Sequence, residues 1–341
     1  MLNRKYALLR RFLYFLLPVI LLVIIFIKVN ISLLYSLLED INLVYIILAL
    51  AIMPFSIVLG SGRWYLLNNF YNKRSLSFRF ISFHYWAGLA IGYFTPGNIG
   101  WDAYRIIAVG KRVKTYKSPL IGIVSEKIIG FLSVSLMILI VFPIIENQIL
   151  KDGKLYNEIY FGGFGILALV ILFGGLILKS NGKNISDWIN SSIRSIILKF
   201  SKLIKVKNLG NFNSFDLKNS RSLLSIFKNP GLLFSTFFIS WGILLISALS
   251  NQFLFRALGY EIDIFINLFA APVFFILFLI PLSFGSLGVR EGVYILFYHQ
   301  FGVPMEIALL VSFLSLIGIL LNNALGAGSI IIKGFKVPKK C

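Results

Sequence analysis

Residues 281–291 read PLSFGSLGVRE, and residues 96–105 read PGNIGWDAYR. In each stretch a proline is followed by glycine four positions on and arginine nine positions on: Pro281, Gly285 and Arg290 in one, Pro96, Gly100 and Arg105 in the other. A further proline, Pro304 or Pro119, stands 23 residues after the first. Each stretch also carries a carboxylate, Glu291 or Asp102, and each lies against apolar sequence. Helix breakers and charges are costly there unless they face a polar cavity. The pair therefore points both to the fold and to the function.

Working outward, the surrounding chain is 58% hydrophobic, with a mean hydropathy of +0.87. It holds several apolar runs near the roughly 20 residues that cross a bilayer as helix. This is the composition of an integral membrane protein. The net charge of +20 invites a nucleic-acid reading, but the bases cluster in loops between apolar runs, with no RNA-binding signature and no separate basic domain. No nucleic-acid partner is expected. The single cysteine, Cys341, excludes an intramolecular disulfide, and His84 and His299 without Cys or His spacing leave a metal without ligands. No metal or other cofactor is expected, and both histidines read as packing or membrane-interface residues. The opening MLNRKYALLRR before Phe12 to Ile27 resembles a signal peptide, but no small-residue cleavage pattern follows, so an uncleaved first helix is expected.

The expected fold is all-α and polytopic, with about six spanning helices near 12–29, 41–60, 119–145, 159–178, 231–255 and 305–332. Two regions resist this treatment: 80–105, interrupted at Thr95-Pro96-Gly97, and 266–301, broken by Pro281, Gly285 and Gly288. Charge decides how they sit. The N-terminus (Arg4, Lys5, Arg10, Arg11), the loop 61–79 (Arg63, Lys73, Arg74, Arg79) and the stretch after the first motif (Lys111, Arg112, Lys114, Lys117) are all basic. A full crossing by 80–105 would put neighbouring basic loops on opposite sides, against the positive-inside rule. A re-entrant hairpin from the cytoplasmic side removes the conflict.

Loop 146–158, with Glu146, Asp152 and Glu158, reads as outside, as does 256–265 with Glu261 and Asp263. Loop 179–230, with ten Lys or Arg against Asp187 and Asp216, reads as inside, and so does the tail with Lys333, Lys336, Lys339 and Lys340. Region 266–301 then becomes a second hairpin dipping from the opposite face, which is the arrangement of an inverted repeat. The chain reads as one membrane domain over 1–341. Its first half is 1–178, its basic cytoplasmic loop is 179–230 and its second half is 231–341. Both termini are expected to be cytoplasmic, in the plasma membrane of a prokaryote. Within the loop, Ile185, Trp188, Ile189, Ile193, Ile196, Ile197, Phe200, Leu203 and Ile204 recur at helical spacing among Arg194, Lys199, Lys202 and Lys205. Such a helix fits either the anionic membrane surface or the underside of the bundle.

The ionisable groups set in or beside apolar sequence are Asp102, Arg105, Glu126, Lys127, Arg290 and Glu291. An isolated charge at bilayer depth costs about 2.5 to 3.5 kcal/mol on insertion scales. These groups therefore either line a wet cavity, where cations hold a phosphate and carboxylates orient them, or pair internally to brace the hairpins. Arginine suits the first role because its planar fork makes two hydrogen bonds to phosphate oxygens. The candidate substrate-binding set is Pro96, Gly97, Asn98, Gly100, Asp102, Arg105, Glu126, Lys127, Pro281, Ser283, Gly285, Gly288, Arg290 and Glu291. No catalytic residue is assigned, since these carboxylates come without a histidine or cysteine partner; a polytopic transferase using Asp102 or Glu126 as base is the competing class.

At these residues the chain resembles a flippase-like membrane family that includes the transmembrane region of lysylphosphatidylglycerol synthase. The features are Arg63-Trp64 with Leu66-Leu67, the PGNIG-x-D-x-x-R segment, Glu126-Lys127, and the run from Pro281 through Ser283, Gly285, Leu287, Gly288, Val289, Arg290, Glu291 and Gly292 to Gly302-Val303-Pro304. Two departures are Trp101, where the pattern has glycine, and Lys127, where it has arginine. The resemblance implies a lipid translocator that moves an anionic phospholipid, aminoacylated lipid or glycolipid headgroup between leaflets. Lysine transfer is not expected without a soluble synthase domain. The partners it implies are a lipid with a phosphate-bearing headgroup and the anionic membrane surface, then a second copy of the chain or a separate lipid-modifying enzyme. An accessory lipid-binding subunit of such an enzyme is the further alternative.

Overall fold

The computed structural model describes residues 18–72, 75–93, 99–148, 225–279 and 286–333, with Leu16, Thr95 and Gly165 as single positions. Among them the regular structure is helical, with no strand. Helix α1 (Pro18–Lys28) meets α2 (Ile31–Glu39) at 86°. Then come α3 (Leu43–Tyr71, 29 residues), α4 (Phe78–Tyr93, 16), α5 (Ile99–Val113, 15) and α6 (Lys117–Ile145, 29). The order repeats in α7 (Pro230–Ala257, 28), α8 (Ile264–Leu277, 14), α9 (Val289–His299, 11) and α10 (Met305–Lys333, 29). Long, short, short, long thus occurs twice.

The long helices extend about 42 to 44 Å at 1.5 Å per residue, enough for a hydrocarbon core of about 30 Å, whereas α4 and α5 extend only about 24 and 22 Å. Four helices are long and apolar enough to cross a membrane, or five if the bent α1–α2 pair is one span. Their outward faces carry Leu43, Ile47, Phe55, Ile140, Phe234, Phe238, Leu320 and Leu325, all exposed, as lipid-facing surfaces require.

Short polar residues mark where the helices begin. The side chains of Asn30, Asn42, Asn229 and Asp263 accept from the backbone N–H groups of Leu33, Val44, Leu232 and Phe265. Each satisfies a donor that a helix start leaves without an intrahelical partner. Pro230 follows Asn229 at the first position of α7, where a missing N–H costs nothing.

Contacts between helix ends define two ends of the bundle. At one, the N–H of Asn42 donates to the Ala257 carbonyl at 2.8 Å, Gln148 donates to Asp263 at 2.6 Å, and the Asn30 N–H donates to Glu306 at 3.0 Å. At the other, Ser118 donates to Asn72, Asn69 closes the turn before α4 on Leu76, and Ile226 packs with Leu67 and Ile129. Charge divides between these ends. The first holds Glu39, Asp40, Glu146, Glu261, Asp263 and Glu306 against Lys28 and Arg256; the second holds Arg79, Lys111, Arg112, Lys114, Lys117 and Lys228 with no acid among the described residues. The contacts thus group the loops as the charge count does.

The halves also cross-pack. Helices α3 and α7 lie along each other, α4 packs on α10, and α8 packs on α6. The first limb of each short pair therefore rests on the closing long helix of the other half. Close approach is allowed by Gly326, where a Cβ would come 2.5 Å from the Trp86 carbonyl oxygen, and by Gly92, where one would come 2.6 Å from the Trp101 Cβ.

One sequence expectation is corrected. The stretch 61–79 is not a loop: α3 continues to Tyr71 and α4 starts at Phe78. Arg63 consequently lies inside a helix, because the apolar and aromatic residues after it keep the helix packed against the bundle. The expected span 159–178 and the amphipathic stretch 185–205 lie outside the described residues, apart from Gly165.

Two outcomes follow from this packing. Gly92→Ala should destabilise the protein by about 1 to 3 kcal/mol through overpacking; an unchanged thermal midpoint in detergent would contradict the close α4–α5 approach. In a Cys341→Ser background, single cysteines replacing Glu261 and Lys228 should be labelled from opposite sides of sealed vesicles by an impermeant reagent. Labelling of both from one side would contradict the two-ended arrangement.

Candidate functional site

Five ionised side chains meet where α3, α5 and α6 converge. Arg105 Nη2 lies 2.5 Å from Asp102 Oδ1, and its Nη1 lies 2.9 Å from Glu126 Oε2. Arg63 Nη2 lies 2.8 Å from Glu126 Oε1, and Lys127 Nζ lies 3.1 Å from Asp102 Oδ2. Each carboxylate thus bridges two cations. The network reaches the second half through Arg63 Nη1, which donates to Ser240 Oγ on α7 at 2.8 Å.

Local sequence explains the convergence. Asp102 and Arg105 are three apart on α5 and share a helical face. Glu126 and Lys127 are adjacent on α6, so they project about 100° apart; one serves the two arginines and the other reaches Asp102. Arg105 is flanked by aromatic rings, with its Cζ 4.3 Å from the Trp101 ring and 5.0 Å from both Trp64 and Tyr85. Rings around a desolvated guanidinium supply attraction that water would otherwise give. Room for Trp101 comes from α4: a Cβ on Gly88 would lie 2.7 Å from Trp101 Cδ1, and Gly92 is as tightly approached. Trp101 therefore fills a groove made by two glycines.

Burial grades across the network. Side-chain exposure is 0% for Arg105, 3% for Glu126 and 13% for Arg63, but 24% for Asp102 and 37% for Lys127. One edge, formed by Asp102, Lys127 and the partly exposed Trp101, is open.

At the tip of this short pair, Thr95 Oγ1 accepts from the Gly100 N–H at 2.9 Å and donates to the Gly92 carbonyl at 2.7 Å. Gly100 thus serves the turn and the start of α5. Pro96, Gly97 and Asn98 lie outside the described residues, as do Pro281, Ser283 and Gly285.

The second motif forms a separate pair. Arg290 Nη2 donates to Glu291 Oε1 at 2.9 Å, and Glu291 Oε2 accepts from the Gly288 N–H at 2.6 Å. Both side chains are buried, and the carboxylate caps its own helix. Gly288 has φ +73°, and a Cβ there would approach the Pro18 carbonyl oxygen to 2.8 Å, so conformation and contact both require glycine.

Beyond it lies an uncharged network. Tyr294 donates to Asn251, Tyr298 donates to Asn267 at 2.6 Å, and Asn267 donates to Gln252 at 2.7 Å. These bonds join α7, α8 and α9.

Of the sequence-derived candidates, Gly100, Asp102, Arg105, Glu126 and Lys127 are gathered at the first site and Gly288, Arg290 and Glu291 at the second. Arg63 was left out of that set because it was read as a loop cation. Its place beside Trp64, with apolar residues on both sides, was the available signal. His84 is a packing residue, buried and 3.0 Å from the Tyr104 hydroxyl. Among the described residues there is no cluster of His, Cys, Asp or Glu that could hold a metal ion.

With this geometry in place, comparison with known proteins adds one assignment. No curated protein and no solved structure matches the chain. A family model described as the lysylphosphatidylglycerol synthase TM region matches residues 11–323, covering both short pairs and every ionised residue of the two sites. The chain belongs to the lysylphosphatidylglycerol synthase transmembrane-region family.

Proposed function

We propose that this protein is a lipid translocator that passes a phosphate-bearing headgroup between leaflets, and that it is a transporter and not an enzyme. The observation that carries this reading is the charged network of Arg63, Arg105, Lys127, Asp102 and Glu126, sealed among apolar helices on one side and open along Asp102 and Lys127 on the other. Charges at such depth are retained where they face a polar path. Arg105 and Glu126 hold the framework, and the open edge meets the headgroup while the tails stay in lipid. The buried Arg290 and Glu291 pair fixes the start of α9.

In this reading the two halves form an inverted repeat, with α4–α5 and α8–α9 re-entering from opposite faces and both termini in the cytoplasm of a prokaryote. The twofold order of helix lengths and the reciprocal packing of α4 on α10 and α8 on α6 support it. Alternating access then comes from rocking the halves against each other. Arg63 crosses that boundary through Ser240. A second copy of the chain and a separate lipid-modifying enzyme are its proposed protein partners.

Purified protein in liposomes should change the sidedness of a labelled anionic phospholipid without changing its mass; a covalently altered lipid would instead identify an enzyme. Arg105→Ala should lower the translocation rate at least about tenfold, as expected for loss of a buried charge-assisted bond, and undiminished transport by the folded variant would sink the proposal. Glu126→Gln leaves two arginines without their shared carboxylate and should cost about 3 to 5 kcal/mol of stability, read as a lowered thermal midpoint in detergent.

A further inference from the structure

The first site has a surplus of one kind. With its members ionised, Arg63, Arg105 and Lys127 carry three positive charges and Asp102 and Glu126 carry two negative ones, so one positive charge is left over. Hydrogen bonding is unbalanced in the same direction. Each of the four carboxylate oxygens already faces one cation: those of Asp102 face Arg105 and Lys127, those of Glu126 face Arg63 and Arg105. In contrast, four buried N–H donors around the site have no partner among the described residues, namely Nε of Arg63, Nε of Arg105 and the indole nitrogens of Trp64 and Trp101. The nearby acceptor without a partner, Asn68 Oδ1, lies a turn further along α3 and off the ionised network.

A surplus charge at a partly open edge and unpaired buried donors both carry a cost. A group that brings one negative charge and only acceptors removes both costs. From this we infer that the site takes a singly charged phosphodiester, and that the lipid carried is an anionic phosphodiester lipid with no ammonium group. The inference rests on the translocator reading for its identification of the ligand as a lipid, and it chooses among the headgroups that reading admits. An ammonium group would have to share a carboxylate oxygen that already faces a cation, and would add to the surplus of positive charge. A pyrophosphate would overcompensate and leave the site negative. Lys127 and Trp101 form the contact edge, since both are partly exposed and the Lys127 Nζ stands 5.7 Å from the indole ring.

The test is competitive binding to the full chain in detergent, read by native mass spectrometry. The probes are dioleoyl phosphatidylglycerol, dioleoyl phosphatidylethanolamine, lysyl-phosphatidylglycerol, farnesyl pyrophosphate and the tail-free headgroup glycerophosphoglycerol. Phosphatidylglycerol should bind about tenfold more tightly than each of the others, the ratio expected from one charge-assisted bond. Lys127→Gln removes the surplus charge and should abolish the preference over phosphatidylethanolamine. Asp102→Asn raises the surplus to two and should shift preference toward the pyrophosphate. Trp101→Phe keeps a ring but removes the N–H, and should weaken phosphatidylglycerol about fivefold.

Equal or tighter binding of lysyl-phosphatidylglycerol or phosphatidylethanolamine overturns the inference, as does unchanged selectivity in folded Lys127→Gln. Equal binding of the tail-free headgroup assigns the site to a soluble diester and overturns the lipid identification. If selective binding holds while no lipid changes leaflet, the translocator reading fails alone. Transport with no preference for phosphatidylglycerol fails this inference alone.

Discussion

A guanidinium with no exposure to solvent governs the first half of the molecule. Arg105 is fully buried, and an isolated charge in that position would cost several kcal/mol. Its environment is organised around that cost. Two carboxylates occupy its Nη donors, one of them from a different helix, and three aromatic rings surround it. To bring Glu126 within reach, α6 must lie against α5; to keep Glu126 paired on its other oxygen, α3 must present Arg63. Gly88 and Gly92 then follow, because Trp101 needs a groove on α4 if it is to sit over the guanidinium.

The second half uses similar element lengths with different chemistry. Its arginine pairs with the neighbouring Glu291, and that carboxylate is already committed to the start of α9. The remaining polar contacts among α7, α8 and α9 are made by amides and phenols. Neutral groups tolerate desolvation when their bonds are complete. One half therefore concentrates charge beside an open edge, and the other holds a fixed neutral scaffold. In the proposed translocation, the charged half would meet the headgroup and the other half would provide the surface it moves against.

Much of this was legible in the sequence, for identifiable reasons. Apolar runs show the long helices because lipid imposes length and composition together. Pro96 and Pro281 with their glycines interrupt such runs and separate the short helices. For the loop segments within the described residues, lysine and arginine counts give the same grouping as the contacts, because the charges at the two ends differ so strongly. Arg63 was misplaced by the same reasoning: a cation counted as a loop marker is indistinguishable by charge alone from one paired inside a helix. Its partner Glu126 lies far along the chain, and sequence order contains nothing that aligns the two. The roles of Gly88 and Gly92 were hidden likewise, since a glycine inside a helix acquires meaning only when the residue packed on it is known.

The close approach of Gly326 to the Trp86 carbonyl has a consequence for how the protein is made. Helix α4 lies in the first third of the chain, yet the surface it rests on is α10, far along the sequence at Met305–Lys333. Contacts so distant in sequence form late. Until α10 is made, the α4–α5 pair has only its ion pairs and its packing on α3 and α6 to hold it, and α10 then covers its remaining flank.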